Sequence, residues 1–387
     1  MSKEITLTTV PAASEDGLRA VLDEFEQKTR VHVNLQIVPW DKERYEIVGM
    51  ALRRAEGDVL IVGTPITSDL IGMNALRPFS MPEITSLGGQ AAFVPARWQS
   101  GTRPDGEQVF AIPWLLDVRA LYFWRDMLAQ AGFSDPAAIF ATGKGIAEAL
   151  DCLRSAGVAA LPWAATAERY HILHAVSSWI WEQGGDLFSS GGRKVMFHEP
   201  AALAGIQAYF KMLRCTSPVI LEANDEQLFR DRRAAVVIAN AWAIGNQDLP
   251  AELGCVPLPG GSYIGGTDVM IWSHSRSDEA SMALVRHLTQ ADVQWRLGAP
   301  YGQLPTRVSE LTGAEITSHP VRGALARAAL TGRTYPCVPM IGLVEDRLSN
   351  TLSQVQHELL ANPTADVDAL VVSRIVPLGK RTSLSFS

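Results

Sequence analysis

Phe110-Ala-Ile-Pro-Trp-Leu-Leu-Asp-Val-Arg-Ala-Leu-Tyr-Phe-Trp-Arg-Asp126 runs an apolar strand into a polar pair and back into an apolar strand. Residues two apart in an extended chain share a face, so Asp117 and Arg119, separated only by Val118, are expected to point the same way. Leu115, Leu116, Leu121 and Phe123 supply the apolar surroundings. A carboxylate that accepts through two oxygens and a guanidinium that offers a fixed fork of donors are thus presented together in a setting that otherwise reads as core.

Toward the N-terminus the pattern is β-α-β-α-β. Ile5 to Val10 reads as a strand, and Ser14 to Lys28 as a helix with Ser14 as its cap and Leu18, Val21, Leu22 and Phe25 on one face. Val31-His-Val-Asn-Leu-Gln-Ile-Val38 alternates as a second strand, and Lys42 to Arg54 is helical. Asp58-Val-Leu-Ile-Val62 is a continuous apolar run of the kind buried in a parallel sheet. Right-handed crossovers lay such strands in one sheet with ligand-facing loops at their carboxyl ends. Trp40 and the loop Gly63-Thr-Pro-Ile-Thr67 therefore fall at a site edge.

Toward the C-terminus, Asp126 to about Arg214 turns largely helical. Ala234-Ala-Val-Val-Ile-Ala239 is a buried strand ending at Asn240-Ala-Trp242. Leu258-Pro-Gly-Gly-Ser-Tyr-Ile-Gly-Gly-Thr267 is the richest turn segment of the chain and leads into a strand, Val269-Met-Ile-Trp272, and a helix from Ser277 to Thr289.

The 387 residues exceed one comfortable hydrophobic core, so two lobes are expected. With 47% hydrophobic and 19% charged residues the chain is an ordered globular protein rather than a disordered one. A net charge of −7 without any Lys/Arg cluster argues against a nucleic-acid partner. Cys152, Cys215, Cys255 and Cys337 are scattered, so neither a zinc site nor a dense disulfide framework is indicated, and their disulfide state stays open. No apolar run approaches the ~18 residues of a membrane span. The chain starts with a polar strand, Lys3 to Thr9, and not with a charged-then-apolar signal segment.

Several chemistries lack their residues. Gly143-Lys-Gly145 has neither the earlier glycine nor the Ser/Thr of a phosphate loop. His171 and His174 share a helical face, but no Cys, Asp or Glu cluster completes a metal site. Gly260-Gly-Ser-Tyr-Ile264 ends in Ile where a nucleophile elbow needs Gly. No cofactor or metal is expected. Asp117, Glu168 and Asp268 leave a glycosidase-like carboxylate set open.

The order of several segments resembles the extracellular solute-binding proteins of ABC importers, specifically the carbohydrate-binding family that includes maltose-binding protein. The segments are Phe25-Glu-Gln-Lys-Thr29, Gly57-Asp-Val-Leu-Ile-Val62, Val109 to Trp114 with Arg125-Asp126, Gly184-Gly-Asp-Leu-Phe188, Phe229 to Trp242, Pro257-Leu-Pro-Gly-Gly261, Gly265-Gly266 and Gly302-Gln-Leu-Pro-Thr-Arg307. The resemblance covers nearly the whole chain. It implies a two-lobed α/β fold of the periplasmic-binding-protein type II, its discontinuous lobes joined by hinge strands and closing on a ligand. The chain would leave one lobe near 112, return near 256 and leave again near 311, giving an N-terminal lobe of 1–112 with 256–310 and a C-terminal lobe of 113–255 with 311–387.

The resemblance makes Asp117 the acceptor for a sugar hydroxyl and Trp242 the stacking aromatic, and it places Trp40, Thr64, the Trp163 to Glu168 region and the Gly265-Gly266-Thr267 backbone at the ligand. Asp117 has this support, whereas Arg119 rests on strand geometry alone. The likeness departs at Gly63 to Thr67, where maltose-binding relatives carry more aromatic and charged residues, and this leaves maltose itself open as the ligand. A pyranose needs planar hydrogen-bonding groups at its rim and aromatic rings over its faces, and ten tryptophans give ample material. Trp98, Trp124, Trp179, Trp181, Trp272 and Trp295 read as core. Trp40, Trp114 and Trp163 stand between core and site, Gly265-Gly266 between hairpin turn and ligand contact, and Tyr301 and Tyr335 are further candidates.

The implied function is a monomeric, non-catalytic receptor that captures a small carbohydrate or polyol by hinge closure and delivers it to the permease subunits of an ABC importer. It would work in the periplasm or outside the cell after loss of a signal segment, with a cytoplasmic location as the lesser alternative. A polyamine, a phosphorylated polyol or another charged solute is the alternative ligand, and a glycosidase-like enzyme the alternative class.

Overall fold

The alternation of buried residues in two neighbouring strands shows how the larger sheet is layered. In β3 (Val59–Gly63), Val59 and Ile61 belong to one hydrophobic cluster and Leu60 and Val62 to another. In β8 (Ile264–Ile271), Val269 and Ile271 join the first cluster and Met270 the second. Successive strand residues point to opposite faces, so this sheet is covered on both sides, which is why Val59 to Val62 read as an unbroken apolar run.

A computed structural model describes residues 3–103, 106–158, 170–189, 191–215, 225–241, 249–338 and 340–385. The sheet has six strands in the order β2-β1-β3-β8-β4-β9. These are β1 (Lys3–Thr9), β2 (Val31–Ile37), β3, β4 (Ala111–Val118), β8 and β9 (Leu304–Pro305). β1 pairs in parallel with β2 and β3, and β8 pairs antiparallel with β3 in a register that sets Gly63 opposite Thr267. Helix α1 (Glu15–Thr29) starts where Ser14 accepts the Gly17 N–H at 3.1 Å and buries Leu18, Val21, Leu22 and Phe25. Helix α2 (Glu43–Arg53) and helix α3 (Thr64–Gly72) contribute Ile47, Ile66 and Leu70 to the opposite face.

A smaller antiparallel sheet, β6-β5-β7, is built from β5 (Ala120–Trp124), β6 (Val236–Ala239) and β7 (Leu253–Pro257). Helices surround it in sequence, among them Tyr170–Glu182, Pro200–Lys211, Pro320–Thr331, Ile341–Ala361 and Val367–Ser383. The chain divides into one unit of Met1–Asp117, Ile264–Gly313 and Pro336–Gly342 and a second of Val118–Tyr263, Ala314–Tyr335 and Leu343–Ser387.

Three local expectations change. Gly63 to Thr67 is the start of α3 rather than a loop, because Pro65 sits in the first helical turn, where no amide hydrogen is needed. Gly265, Gly266 and Thr267 lie inside β8, and the glycines that turn the chain are Gly260 and Gly261, at φ 70° and 113°. The strand through Asp117 and Arg119 is not continuous either: β4 ends at Val118 and β5 begins at Ala120.

Gly205 shows how tightly the second unit packs. A Cβ there would lie 2.5 Å from the Ile180 Cα and the Trp179 carbonyl oxygen, so the helix Pro200–Lys211 meets the backbone of Tyr170–Glu182 directly. Gly205→Ala should therefore destabilise the protein by about 1–3 kcal/mol through overpacking, measured by denaturant unfolding; a wild-type midpoint would show that the two helices can separate without loss.

Candidate functional site

At the carboxyl end of β3 the backbone passes from Gly63 into α3, and four polar side chains from three elements, Thr64 and Thr67 of α3, Arg97 and Asp268, gather there. The Thr64 hydroxyl donates to the Gly266 carbonyl at 3.0 Å and itself accepts from Arg97. Arg97 comes from the short helix Pro95–Ser100 and is fully buried. It reaches the Asp268 carboxylate at 2.6 Å and the Thr267 carbonyl at 3.3 Å, while the second Asp268 oxygen accepts from Thr67 at 2.9 Å. Both members of this ion pair have no exposed side-chain surface, so each depends on the other for its charge.

Gly266 is the close point between β8 and β4. Its φ is 126°, and a Cβ would stand 2.0 Å from the Leu115 carbonyl oxygen and 3.0 Å from the Asp117 amide nitrogen. Only glycine tolerates both the conformation and the approach. Asp117, the last residue of the first unit's N-terminal segment, is partly exposed.

Beside this network lie Trp40, Glu43 and Arg44. Trp40 opens a short 3-10 turn after Pro39 and is 45% exposed. Glu43 accepts the Gly63 amide hydrogen at 2.7 Å, and burial pushes its carboxyl up to about 7 against the pull of that bond and of Arg44. Arg44 pairs with Asp69 of α3 at 2.5 Å.

In the second unit a buried polar and aromatic group forms where the chain enters and leaves. His174 stacks on Tyr263 with ring centroids 4.0 Å apart and 11° between planes, and its Nε2 lies 2.9 Å from Glu345. Tyr335 packs 4.9 Å from Tyr263, and burial, the neighbouring Tyr263 and Glu345 raise its phenol well above the usual range. Arg119 is buried, close enough to Tyr335 to oppose that rise, and its backbone N–H donates to the Tyr263 carbonyl at 2.9 Å.

A family model described as bacterial extracellular solute-binding protein matches residues 20–324. The chain belongs to that family. A probable ABC transporter-binding protein of Deinococcus radiodurans is 22% identical over 297 residues, spanning 72% of this chain and 70% of the relative. Among solved structures, the sugar-binding protein MalE of Xanthomonas citri is 18% identical, covers 99% of each chain and superposes with a TM-score of 0.82. A solute-binding protein of Thermotoga lettingae bound with α-D-tagatose is 17% identical over 100% of each chain, with a TM-score of 0.80. The fold of this solute-binding protein is thus the two-lobed α/β fold of periplasmic binding proteins.

Within the solute-binding protein, Trp40, Thr64, Gly265, Gly266 and Thr267 come together around the end of β3 and the middle of β8. Trp114 does not join them: it is fully buried in the core of the first unit and donates its indole N–H to the Leu288 carbonyl at 3.0 Å. Tyr301 ends a separate 3-10 turn, Ala299–Tyr301, and is partly exposed. Arg119 belongs to the second unit and Asp117 to the first. Trp163, Glu168 and Trp242 lie outside the described residues, as does the His171 side chain.

Trp98, Trp124, Trp179, Trp181 and Trp272 are buried, and Trp295 is partly so, with its N–H on Glu310 at 2.8 Å. Asp268, one of the three carboxylates weighed for hydrolysis, is committed to Arg97 and Thr67 inside the core. Cys255 and Cys337 are buried free thiols, Cys337 pushed up to about 11 by burial, and Cys152 is an exposed one. Among the described residues no cluster of His, Cys, Asp or Glu is placed to hold a metal ion, and no helix is long and apolar enough to cross a membrane.

Sequence reasoning passed over Arg97, Glu43 and the Arg44–Asp69 pair. The one signal available for Glu43 was its place three residues after an aromatic at the expected site edge.

Asp268→Ala would leave Arg97 buried without its counter-charge, and should cost about 3–5 kcal/mol in denaturant unfolding. Replacing both, as Arg97→Met with Asp268→Leu, should restore much of that loss; if the single and double variants unfold alike, the pair is not what holds β8 to its neighbours.

Proposed function

We propose that this solute-binding protein captures a small carbohydrate or polyol and delivers it to the permease subunits of an ABC importer, acting outside the cytoplasm as a monomer and without catalysing a reaction. The match to the extracellular solute-binding family over residues 20–324 carries this reading. The sugar is supported by the similar structures, which include a sugar-binding protein from Xanthomonas citri, a maltose-bound protein from Thermotoga maritima and the tagatose-bound protein from Thermotoga lettingae.

The chemistry at the end of β3 suits such a ligand. Trp40 presents an exposed ring for an apolar sugar face. Asp117 is a partly exposed carboxylate at the end of the first unit's N-terminal segment, able to accept from rim hydroxyls. Gly266 keeps backbone groups within close reach, and Thr64 fixes the Gly266 carbonyl. Trp242, which follows β6 by three residues, is proposed as a second stacking ring. Trp163, Glu168 and Tyr301 are kept as further contacts, while Arg119 is proposed to position its neighbours in the second unit and Trp114 to act as packing.

Calorimetry against a panel of sugars and polyols should show micromolar or tighter binding of at least one. Folded protein that gives no heat with any sugar, yet binds a charged solute with affinity that falls steeply in salt, would overturn the carbohydrate assignment. Asp117→Ala and Trp242→Ala should each weaken binding by at least ~1.4 kcal/mol, about tenfold; wild-type affinity in both variants would remove them from the site.

A further inference from the structure

Trp40 and Glu43 stand apart from the other residues around the end of β3 because the fold does not consume them. Trp40 is 45% exposed, whereas the other described tryptophans are buried or partly buried. Glu43 uses Oε1 to accept the Gly63 N–H, and Oε2 takes no hydrogen bond from the described residues. The two side chains meet over one glycine: a Cβ on Gly63 would lie 3.4 and 3.5 Å from the two Glu43 oxygens and 3.6 Å from the edge of the Trp40 ring. The backbone at Gly63, with no side chain of its own, therefore leaves an aromatic plane and a carboxyl oxygen side by side.

We propose that Trp40 and Glu43 form a sugar subsite of the first unit, the indole lying against the apolar face of one ring and the unbonded Glu43 oxygen accepting from a hydroxyl on that ring's rim. The proposal rests on the carbohydrate reading above and adds to it a specificity residue and a linkage to protons.

The linkage follows from the setting of the carboxyl. Burial is the dominant influence on Glu43 and holds it near 7, outweighing the Gly63 N–H and Arg44. Its charged surroundings are few. Arg44 and Asp69 of α3 are already joined, Asp41 and Lys42 on the preceding turn are exposed, and Pro336–Gly342, which meets Arg44 at Gly342, carries no charged side chain. The ionised carboxylate thus lacks one donor, and a ligand hydroxyl supplies it. Because that hydrogen bond favours the charged form, the ligand lowers the carboxyl's proton affinity. Binding is then complete above about pH 7 and weakens as the pH falls and the free protein takes up a proton that the complex must release.

The test is calorimetry of maltose, maltotetraose and D-tagatose with wild-type protein, Glu43→Gln and Trp40→Ala at about pH 5.5 and about pH 8.5. For a sugar that binds, wild-type affinity should rise at least about tenfold between the two conditions. Glu43→Gln, which keeps the shape of the side chain but not its charge, should bind about tenfold more weakly at the higher pH and show a flat profile. Trp40→Ala should lose affinity at both values and keep the slope. A sugar that binds wild type and Glu43→Gln equally, with the same pH profile, overturns the subsite and leaves the carbohydrate reading standing. No heat from any of a wider sugar panel, with native circular dichroism, overturns both.

Discussion

The first unit is organised around a carboxylate that water cannot reach. Asp268 lies on β8, between β3 and β4, with no exposed side-chain surface. An isolated charge in that position costs several kcal/mol of desolvation, and the attraction of a partner offsets it only when the geometry is close and the remaining oxygens are also bonded. Arg97 and Thr67 meet that condition at 2.6 and 2.9 Å. Arg97 and Asp268 are 171 residues apart in sequence, so the pair joins a helix laid down early to a strand that arrives only after the second unit's sheet has been passed. The central position of β8 means that the first unit's sheet is incomplete until the chain returns.

That return also sets the candidate site. Gly63 faces Thr267 in the register, and the Gly266 backbone comes so near Leu115 and Asp117 that no side chain fits between them. Polar groups near the end of β3 consequently fall into two kinds. Thr64, Thr67, Arg97 and Asp268 are bound to one another and hold the strands in place. Trp40 and Asp117 keep exposed surface, and Glu43 keeps an oxygen that accepts no hydrogen bond from the described residues. A binding protein needs both kinds, since placed polar groups give specificity only when their supports are rigid.

The second unit fixes its chain entrances by a different means. Tyr263 and Tyr335 are the last residues before the chain leaves, Arg119 and Glu345 follow soon after it enters, and His174 binds Glu345 while stacking on Tyr263. Aromatic contact and charged hydrogen bonding together hold segments that local sequence keeps far apart.

Local patterns were readable because their causes are local. The Ser14 cap, the apolar stripe of α1, the alternation of β2 and the unbroken run of β3 each depend on neighbours a few residues away, and the order of such segments along nearly the whole chain already pointed to the solute-binding family. The sequence by itself therefore determined the α/β class, the strand and helix succession, and the expectation of Trp40 at a site edge and of the Asp117 carboxylate between two apolar strand segments. It did not reveal that Trp114 is packing, that Gly265 to Thr267 are strand, that Arg97 neutralises Asp268, or that Glu43 sits partly desolvated with an unused oxygen. Those outcomes were decided by tertiary structure, because burial, counter-charges and spare hydrogen-bonding capacity are set by segments that lie apart in the chain, by 20 residues for Glu43 and Gly63 and by 171 for Arg97 and Asp268, and no local pattern records which side chain the meeting will consume.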